Sequence, residues 1–264
     1  MRTHARVVVI GGGAVGASLL YHLARRGWTD TLLLEKNELT AGSTWHAAGL
    51  CTQFNSSINV TSLLMYSVDL FRRLEAETGQ SVDFHGVGSI RLATTPDRMD
   101  QYRDQAGLAK IVGLPYELIG PREIGRRAPL LSLTGVIGGA WTPTDGYVDP
   151  TSVTQAMAKG ARDLGAEIAV RTAVRELRPV PGGEWDVVTD RGTVRAGIVV
   201  NAAGIWGREI GELAGVELPI VPMSHQYLVT DVIPELELAH AEMPVIRDVE
   251  ASFYVREEAS GLIV

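Results

Sequence analysis

Apolar positions near the start of the chain follow first a strand pattern and then a helix pattern. Residues 7–10 form a β-branched run that leads into three glycines, which predicts a strand buried on both faces. Apolar residues recur at helical spacing over 14–26, and residues 31–35 predict a second buried strand. A crossover of this length joins neighbouring parallel strands, so the pattern predicts a β-α-β unit and an α/β fold.

In the middle of the chain, the pattern of apolar and polar residues predicts a mixture of loop, helices and short strands, and buried strands follow after it. Residues 41–59 show no period and predict a long ordered loop. Further helices are predicted at 61–78, 96–113, 121–127 and 149–165, and further strands at 88–93, 135–141, 167–171, 174–177, 185–189 and 197–201. We therefore expect a Rossmann-type domain with a mainly parallel sheet in two parts, 5–84 and 147–222. A second, α+β domain is expected to be interleaved with it, at 85–146 and 223–264.

Composition narrows the classes of partner. The 264 residues are 45% apolar and 21% charged, which is typical of a globular protein with a substantial core. The 24 Lys and Arg against 31 Asp and Glu give a formal charge of −7, so the chain lacks the broad positive field that binding to a nucleic-acid backbone requires. We therefore expect no nucleic-acid partner.

Cysteine and histidine positions give no sign of a metal site. Cys51 is the lone cysteine, which excludes an intrachain disulfide and any zinc or iron-sulfur site made of several cysteines. Four histidines, His4, His22, His85 and His240, have no neighbour in sequence that suggests a shared metal or catalytic site. We expect no bound metal and an inert core thiol.

The two ends of the chain carry weaker signals. The apolar run at 7–10 is too short for a signal peptide, and no segment reaches membrane-spanning length, so a cytoplasmic location without a membrane span is expected. Residues 261–264 are apolar and lack a polar tail, which suggests that the chain stops inside a strand.

Three glycines carry the first chemical signal. Gly11, Gly13 and Gly16 have the spacing that permits a tight turn, a close approach of pyrophosphate to the backbone, and close packing of helix on strand. Glu35, at the end of the next strand, can accept hydrogen bonds from both ribose hydroxyls and disfavours a 2′-phosphate. FAD or NAD is therefore favoured over NADP, and the alternative is a glycine turn without a cofactor.

A loop of small residues carries the second signal. Residues 42–50 begin seven positions after Glu35, and the small residues on both sides of His46 would let a flat ring system lie against the backbone. By itself this pattern leaves open whether His46 faces a ligand or is a hydrogen-bonded loop histidine.

The run at 39–50, which reads LTAGSTWHAAGL, resembles the dimethylglycine and sarcosine dehydrogenase family, within the D-amino-acid oxidase-like flavoproteins. Similar matches lie at 88–95, 145–150, 200–204 and 225–227. The resemblance covers nearly the whole chain and implies an FAD-dependent oxidoreductase that acts on a secondary or tertiary N-methyl amino acid. Members of the family usually continue beyond this length, often with a folate-binding region, so tetrahydrofolate is a further expected cofactor of a downstream region.

The resemblance also assigns roles to single residues. It implies that His46 carries FAD covalently through the flavin 8α-methyl group. The FAD contacts that it implies are Ala14, Val15, Glu35, Lys36, Gly42, Ser43, Thr44, Trp45, His46, Ala47, Ala48, Gly49, Leu50, Val174 and Trp206. For Trp206, packing in the core is an equally open interpretation.

Oxidation of an amine calls for a base near the flavin, because the nitrogen must be neutral before hydride can leave the N-methyl carbon. His225 resembles the family's histidine at that place, and Tyr254 is a second, weaker candidate. A purely structural role for His225, read as a strand residue, stays open. Arg247 and Arg256 offer forked donors for a substrate carboxylate, but their spacing does not select either one.

Two other functions fit parts of the pattern. A non-catalytic subunit of the same architecture resembles the regulatory subunit of pyruvate dehydrogenase phosphatase, although that relative lacks the Trp-His pair that stands here at 45–46. An NAD-linked dehydrogenase needs only the glycine turn and Glu35, and leaves residues 42–50 unexplained. Either dioxygen or an electron-transfer flavoprotein could accept the electrons of an amine oxidoreductase.

Overall fold

The buried run near the N-terminus forms strand β1 (His4–Ile10) in a computed structural model that describes residues 2–238 and 241–264. Helix α1 (Ala14–Arg25) follows, and strand β2 (Thr31–Leu34) runs parallel to β1 with Val8 opposite Leu32. All four residues of β2 are buried. The predicted β-α-β unit is confirmed.

Six further helices and twelve further strands follow in the part of the chain that the structure describes. The further helices are α2 (Ile58–Thr78), α3 (Pro96–Val112), α4 (Pro121–Arg127), α5 (Pro150–Asp163), α6 (Gly207–Leu213) and α7 (Pro234–Glu237). The further strands are β3 (Leu50–Cys51), β4 (Ser89–Ala93), β5 (Glu117–Ile119), β6 (Gly138–Thr142), β7 (Gly146–Tyr147), β8 (Glu167–Ala169), β9 (Val174–Pro179), β10 (Trp185–Thr189), β11 (Gly192–Asn201), β12 (Val245–Asp248), β13 (Phe253–Glu258) and β14 (Gly261–Ile263). Short 3-10 helices cover Ser43–His46 and Gly204–Trp206.

The chain divides into two units, and the first comprises Met1–Ala47, Arg73–Asp83 and Asp149–Ser224. Its sheet has the order β8-β2-β1-β11-β10-β9, in which β8, β2, β1 and β11 are parallel and β10 is antiparallel to both of its neighbours, β11 and β9. Because Ile10 lies opposite Asn201, the chain leaves β1 and β11 at the same edge of this sheet. This edge is where an α/β sheet places its ligands.

The second unit comprises Ala48–Arg72, Phe84–Val148 and His225–Val264. Its sheet has the order β14-β13-β12-β4-β6-β5 and is antiparallel except between β12 and β4. The predicted α/β fold with an interleaved α+β domain is therefore confirmed. Ile90, Ile246 and Val255 are cross-strand neighbours on the face that packs into the core.

The loop predicted at 41–59 contains more structure than its sequence indicated. It holds a 3-10 helix, strand β3 and the first residues of α2, and β3 pairs with β7 so that Leu50 lies opposite Tyr147. This pairing places residues 48–72 in the second unit, whereas the sequence placed them in the first part of the Rossmann-type domain. The physical reason is a contact across about a hundred residues, which no local pattern encodes.

Candidate cofactor-binding site

The glycine turn between β1 and α1 is built without room for side chains. Gly11 has φ +115°, and a Cβ at Gly16 would overlap the carbonyl oxygen of Gly11. A Cβ at Gly13 would lie 2.9 Å from the Thr44 hydroxyl oxygen. Helix α1 has no side-chain N-cap and no acidic residue in its first turn, so its N-terminal end favours an anion.

Glu35 closes the turn from the neighbouring strand. Its Oε2 accepts a hydrogen bond from the Gly12 amide at 2.7 Å, and its Oε1 accepts one from the Asn37 amide at 2.7 Å. Each carboxylate oxygen keeps a further lone pair with which to accept a ribose hydroxyl. A phosphate at this place would be repelled by the carboxylate.

A cavity of about 580 Å³ opens beside this turn in the first unit, within the size range of cofactor pockets. The sequence-predicted residues in its wall are Gly11, Gly13, Ala14, Val15, Glu35, Lys36, Gly42, Ser43, Thr44, Val174 and Trp206. Gly16 lies behind the wall, where its missing side chain lets α1 pack on the turn. The structure thus brings eleven of the predicted cofactor contacts to one cavity, from five separate stretches of sequence.

Trp206 forms part of this wall rather than the core. The Lys36 ammonium lies 3.4 Å from the centroid of the Trp206 ring, which is the geometry of a cation–π contact. A Cβ at Gly42 would lie 3.1 Å from the same ring, so the glycine lets the indole lie against the backbone. Three predicted contacts are therefore neighbours in space.

The 3-10 helix Ser43–His46 carries the histidine that was predicted to bind flavin. Thr44 Oγ1 accepts a hydrogen bond from the Ala14 amide at 3.1 Å, which ties this helix to the start of α1. His46 is exposed, its Nδ1 lies 3.1 Å from the Gly42 carbonyl oxygen, and its ring centroid lies 3.7 Å from that of Trp45. Ala47 is exposed at the end of the helix. The His46 ring is therefore held within its own turn and remains open to solvent.

The remaining predicted contacts, which are Ala48, Gly49 and Leu50, belong to the second unit. Ala48 is buried, and Gly49 has φ +73° and accepts a hydrogen bond from the Val148 amide through its carbonyl oxygen. The predicted run of contacts at 42–50 is thus divided between the units.

The two candidate catalytic residues lie in different surroundings within the second unit. His225 is exposed and lies outside the strands, so its assignment to a strand was wrong. Tyr254 lies on β13 directly opposite Arg247 on β12, and Arg247 lies opposite Arg91 on β4. The alternate residues on these strands face the core, so Arg91, Arg247 and Tyr254 share the other face of the sheet.

This row is positively charged. Burial, and after it the neighbouring Arg91 guanidinium, lower the pKa of Arg247 from its ordinary value. Arg91 donates to the Phe54 carbonyl oxygen at 2.9 Å, and no carboxylate among the described residues is paired with Arg247. Arg91 and Arg247 are neighbours across β4 and β12, and the buried Asp145 carboxylate also acts on Arg247. Their guanidinium groups are the forked donors that this face offers to an anion.

The other titratable groups have structural surroundings. Burial raises the pKa of the Cys51 thiol to about 12. His85 Nδ1 lies 2.9 Å from Glu242 Oε2, and His22 Nδ1 lies 2.7 Å from the Ser18 carbonyl oxygen, so both have the partners that their sequence surroundings did not reveal. His240 lies outside the described residues. Within residues 2–238 and 241–264, no three His, Cys, Asp or Glu side chains are grouped as metal ligands.

The family model of FAD-dependent oxidoreductases matches residues 6–264 of the chain. The chain belongs to this family. Among curated proteins, mitochondrial dimethylglycine dehydrogenase of Rattus norvegicus is 48% identical over 262 residues, which are 99% of this chain and 31% of that protein. The mitochondrial pyruvate dehydrogenase phosphatase regulatory subunit of Mus musculus is 34% identical and is covered over 30% of its length. The chain thus spans less than a third of these relatives.

The fold of this FAD-dependent oxidoreductase is similar to that of a solved structure. L-proline dehydrogenase from P. horikoshii superposes with a TM-score of 0.89 at 29% identity, over 100% of this chain and 69% of that one. In the part of the chain that the structure describes, no helix combines the length and the apolar character needed to cross a bilayer.

The cavity fits the cofactor that the family name implies. The glycine turn leaves a cradle that a Cβ at Gly13 would enter, the start of α1 favours pyrophosphate, and Glu35 favours an unphosphorylated ribose. These three features suit the pyrophosphate and ribose of the ADP half of FAD. The flavoprotein assignment and the geometry agree.

Other residues of the wall escaped sequence reasoning. They are Gly12, Asn37, Thr172, Ala173, Arg175, Ala202, Ala203 and Glu209, among others. Ala202 and Ala203 could have been predicted, because they directly follow β11, which ends beside β1 at the edge where an α/β sheet binds its ligands. Thr172 and Arg175 join the wall through β8 and β9, whose place in the sheet the sequence did not specify.

Proposed function

We propose that this FAD-dependent oxidoreductase oxidatively demethylates an N-methyl amino acid of the dimethylglycine or sarcosine type, with FAD attached covalently at His46. The observation that carries the proposal is the 580 Å³ cavity whose wall joins the glycine turn, Glu35 and the first two residues, Ser43 and Thr44, of the 3-10 helix that ends at His46. The 48% identity to a dimethylglycine dehydrogenase supports the substrate class.

When bound, FAD supplies a two-electron acceptor: hydride leaves the N-methyl carbon, and the resulting substrate iminium adds water to give formaldehyde or transfers its carbon to tetrahydrofolate bound by a downstream region. The wall residues of the first unit hold the ADP half of the cofactor. His225 is proposed to take the proton from the substrate ammonium, because a neutral imidazole nitrogen can act as a general base. Tyr254 is proposed to orient the substrate. Dioxygen or an electron-transfer flavoprotein would serve as the electron acceptor.

The row of Arg91, Arg247 and Tyr254 supports an amino acid as substrate, because two forked donors on one face suit a carboxylate. Replacing Arg247 by methionine is expected to raise the KM for dimethylglycine about tenfold to a hundredfold, with a smaller change in kcat. The measurement is steady-state kinetics with dimethylglycine and with its amide, which lacks the carboxylate.

The amide should react equally with the wild type and with Arg247→Met. The matched control is Arg98→Met, since Arg98 forms an ion pair with Glu250 and does not belong to the row. An equal loss of activity on acid and amide would show that Arg247 acts through the fold rather than on the carboxylate.

The covalent bond can be tested on a single peptide. Trypsin cuts after Lys36 and next after Arg72, so residues 37–72 form one fragment in which His46 is the sole histidine. We expect a yellow acid precipitate from the wild type and a fragment 37–72 that carries the mass of FAD. His46→Gln should give a colourless precipitate, while the control His4→Gln should stay yellow.

The outcomes separate the candidate functions. FAD that is released entirely into the acid supernatant would keep the oxidoreductase and exclude the bond at His46. A chain that binds no flavin in any form would favour a non-catalytic regulatory subunit, for which the 34% identity to such a protein is the supporting observation. A nicotinamide cofactor in the supernatant would favour the NAD-linked alternative.

A further inference from the structure

The chain that follows His46 is fixed by a buried polar contact from a distant strand. The Ala48 carbonyl oxygen accepts a hydrogen bond from Arg256 Nε at 2.7 Å. Both residues are buried, with 8% of Ala48 and 7% of Arg256 exposed. Ala48 stands two residues after His46, so this bond restrains the backbone just beyond the proposed linkage site.

Arg256 is itself held in one orientation. Its Nη1 donates to the Glu257 carbonyl oxygen at 2.6 Å and forms an ion pair with Glu258 Oε2 at 2.6 Å. Its guanidinium carbon lies 4.4 Å from the centroid of the Tyr147 ring. A planar guanidinium can satisfy these directions together, whereas a lysine ammonium can reach only some of them.

Tyr147 connects this contact to the other side of the same segment. It lies opposite Leu50 in the β3–β7 pair, and its ring stacks on that of His85 with centroids 4.6 Å apart and planes 5° apart. Its hydroxyl donates to Glu242, which also contacts His85. Residues 48–50 are therefore held at two places: Leu50 pairs with Tyr147 of β7, and Ala48 accepts the hydrogen bond from Arg256.

The His46 side of the segment has weaker restraints. His46 Nδ1 contacts the carbonyl oxygen of Gly42 within the same short helix, and Ala47 is exposed. Ala48 is the first buried residue after His46, so the bond from Arg256 restrains the backbone two residues beyond His46.

We propose that Arg256 is a positioning residue for formation of the His46–flavin bond; this inference rests on the covalent linkage proposed above. In that step a bond forms between an imidazole nitrogen and the 8α carbon. The imidazole loses its N–H proton, the methyl group loses one C–H proton, and two electrons remain on the flavin. Dioxygen, as the two-electron acceptor, restores the oxidised form and is reduced to hydrogen peroxide. Misplacing a reacting group by about 1 Å can slow such a step about a hundredfold.

The test mixes flavin-free full chain with saturating FAD in air and follows acid-precipitable flavin with time. We expect Arg256→Met to form the bond tenfold to a hundredfold more slowly, and Arg256→Lys about threefold to tenfold more slowly. The Kd for FAD before the bond forms should change less than threefold, because Arg256 is not in the wall of the cavity. The matched control is Glu258→Gln, which removes the ion pair but keeps the bond to Ala48 and should react within threefold of the wild type.

Each result decides the role of Arg256. Bond formation at the wild-type rate in folded Arg256→Lys and Arg256→Met overturns the proposal, as does a slower rate that is fully restored by more FAD. If Arg256→Met does not fold, the comparison of Arg256→Lys with Glu258→Gln decides in the same way. A wild-type chain that binds FAD without ever forming the bond overturns the linkage at His46 and this role together, whereas a wild type that forms it confines the question to Arg256.

Discussion

Replacing Gly16 by alanine is expected to weaken FAD binding more than a hundredfold and to lower the free energy of unfolding by about 3 kcal/mol. The added Cβ would overlap the carbonyl oxygen of Gly11 and lie 3.5 Å from the Ala202 Cβ. Because both neighbours belong to the backbone turn and its packing, helix α1 must move away from β1. Its N-terminal amides then leave the geometry that receives a pyrophosphate. Urea unfolding and titration with FAD measure the two effects.

Gly107→Ala provides the matched control for Gly16. Gly107 lies inside helix α3, and nothing lies within 4 Å of a Cβ added there. Alanine should stabilise this helix by about 0.5–1 kcal/mol and leave FAD binding unchanged. A Gly16→Ala protein that binds FAD within threefold of the wild type would show that the turn tolerates a side chain and that close packing is not required.

Replacing Asp145 by alanine is expected to cost about 3 kcal/mol of unfolding free energy. Asp145 is fully buried, and its carboxylate accepts hydrogen bonds from the Gln53 amide at 2.9 Å, the Gln53 side chain at 3.0 Å and the Ser89 hydroxyl at 2.6 Å. Alanine would leave buried donors without an acceptor in the second unit. Ser89→Ala removes a single donor and should cost about 1 kcal/mol. Equal small losses in both variants would contradict this account.

The same carboxyl should give a distinct pH dependence. Burial raises the pKa of Asp145 above its ordinary value, although the bonds from Ser89 and Gln53 act in the opposite direction. A folded-state pKa above the unfolded one means that the folded state binds the proton more tightly, so stability from this group is lost as pH rises. The wild type should therefore gain stability relative to Asp145→Asn as the pH falls from about 7 to 4. A difference that stays constant, or shrinks on acidification, would contradict the raised pKa.

The sequence predicted well those features that neighbouring residues determine. The run at 7–10, the glycine turn and the helical period that follows it specify α1 and β2 to within one residue, whereas β1 begins three residues before the predicted run. Helix α5 likewise begins where Asp149 accepts hydrogen bonds from the Thr151 and Ser152 amides, as an acidic cap followed by proline predicts.

Contacts between residues that lie far apart along the chain could not be predicted from the sequence. The bond between Arg256 and Ala48 spans 208 positions, and the bonds from Gln53 to Asp145 span 92. The sequence does not pair these residues, since nothing local distinguishes a buried polar partner from an exposed one. For the same reason the candidate site was predicted as a set of residues, while the Lys36–Trp206 contact and the division of 42–50 between two units were not.

The position of β1 at the centre of its sheet has a consequence for how the protein is made. One edge of β1 is covered by β2, which follows within a few tens of residues, but the other edge waits for β11, which begins at Gly192. A ribosome that adds about 5–20 residues per second needs roughly 10–40 s to cover that distance. Throughout this time an apolar, β-branched edge lies open, and such an edge is a template for pairing between nascent chains. Protection of residues 7–10 during translation is therefore a requirement that the order of the strands imposes on the cell.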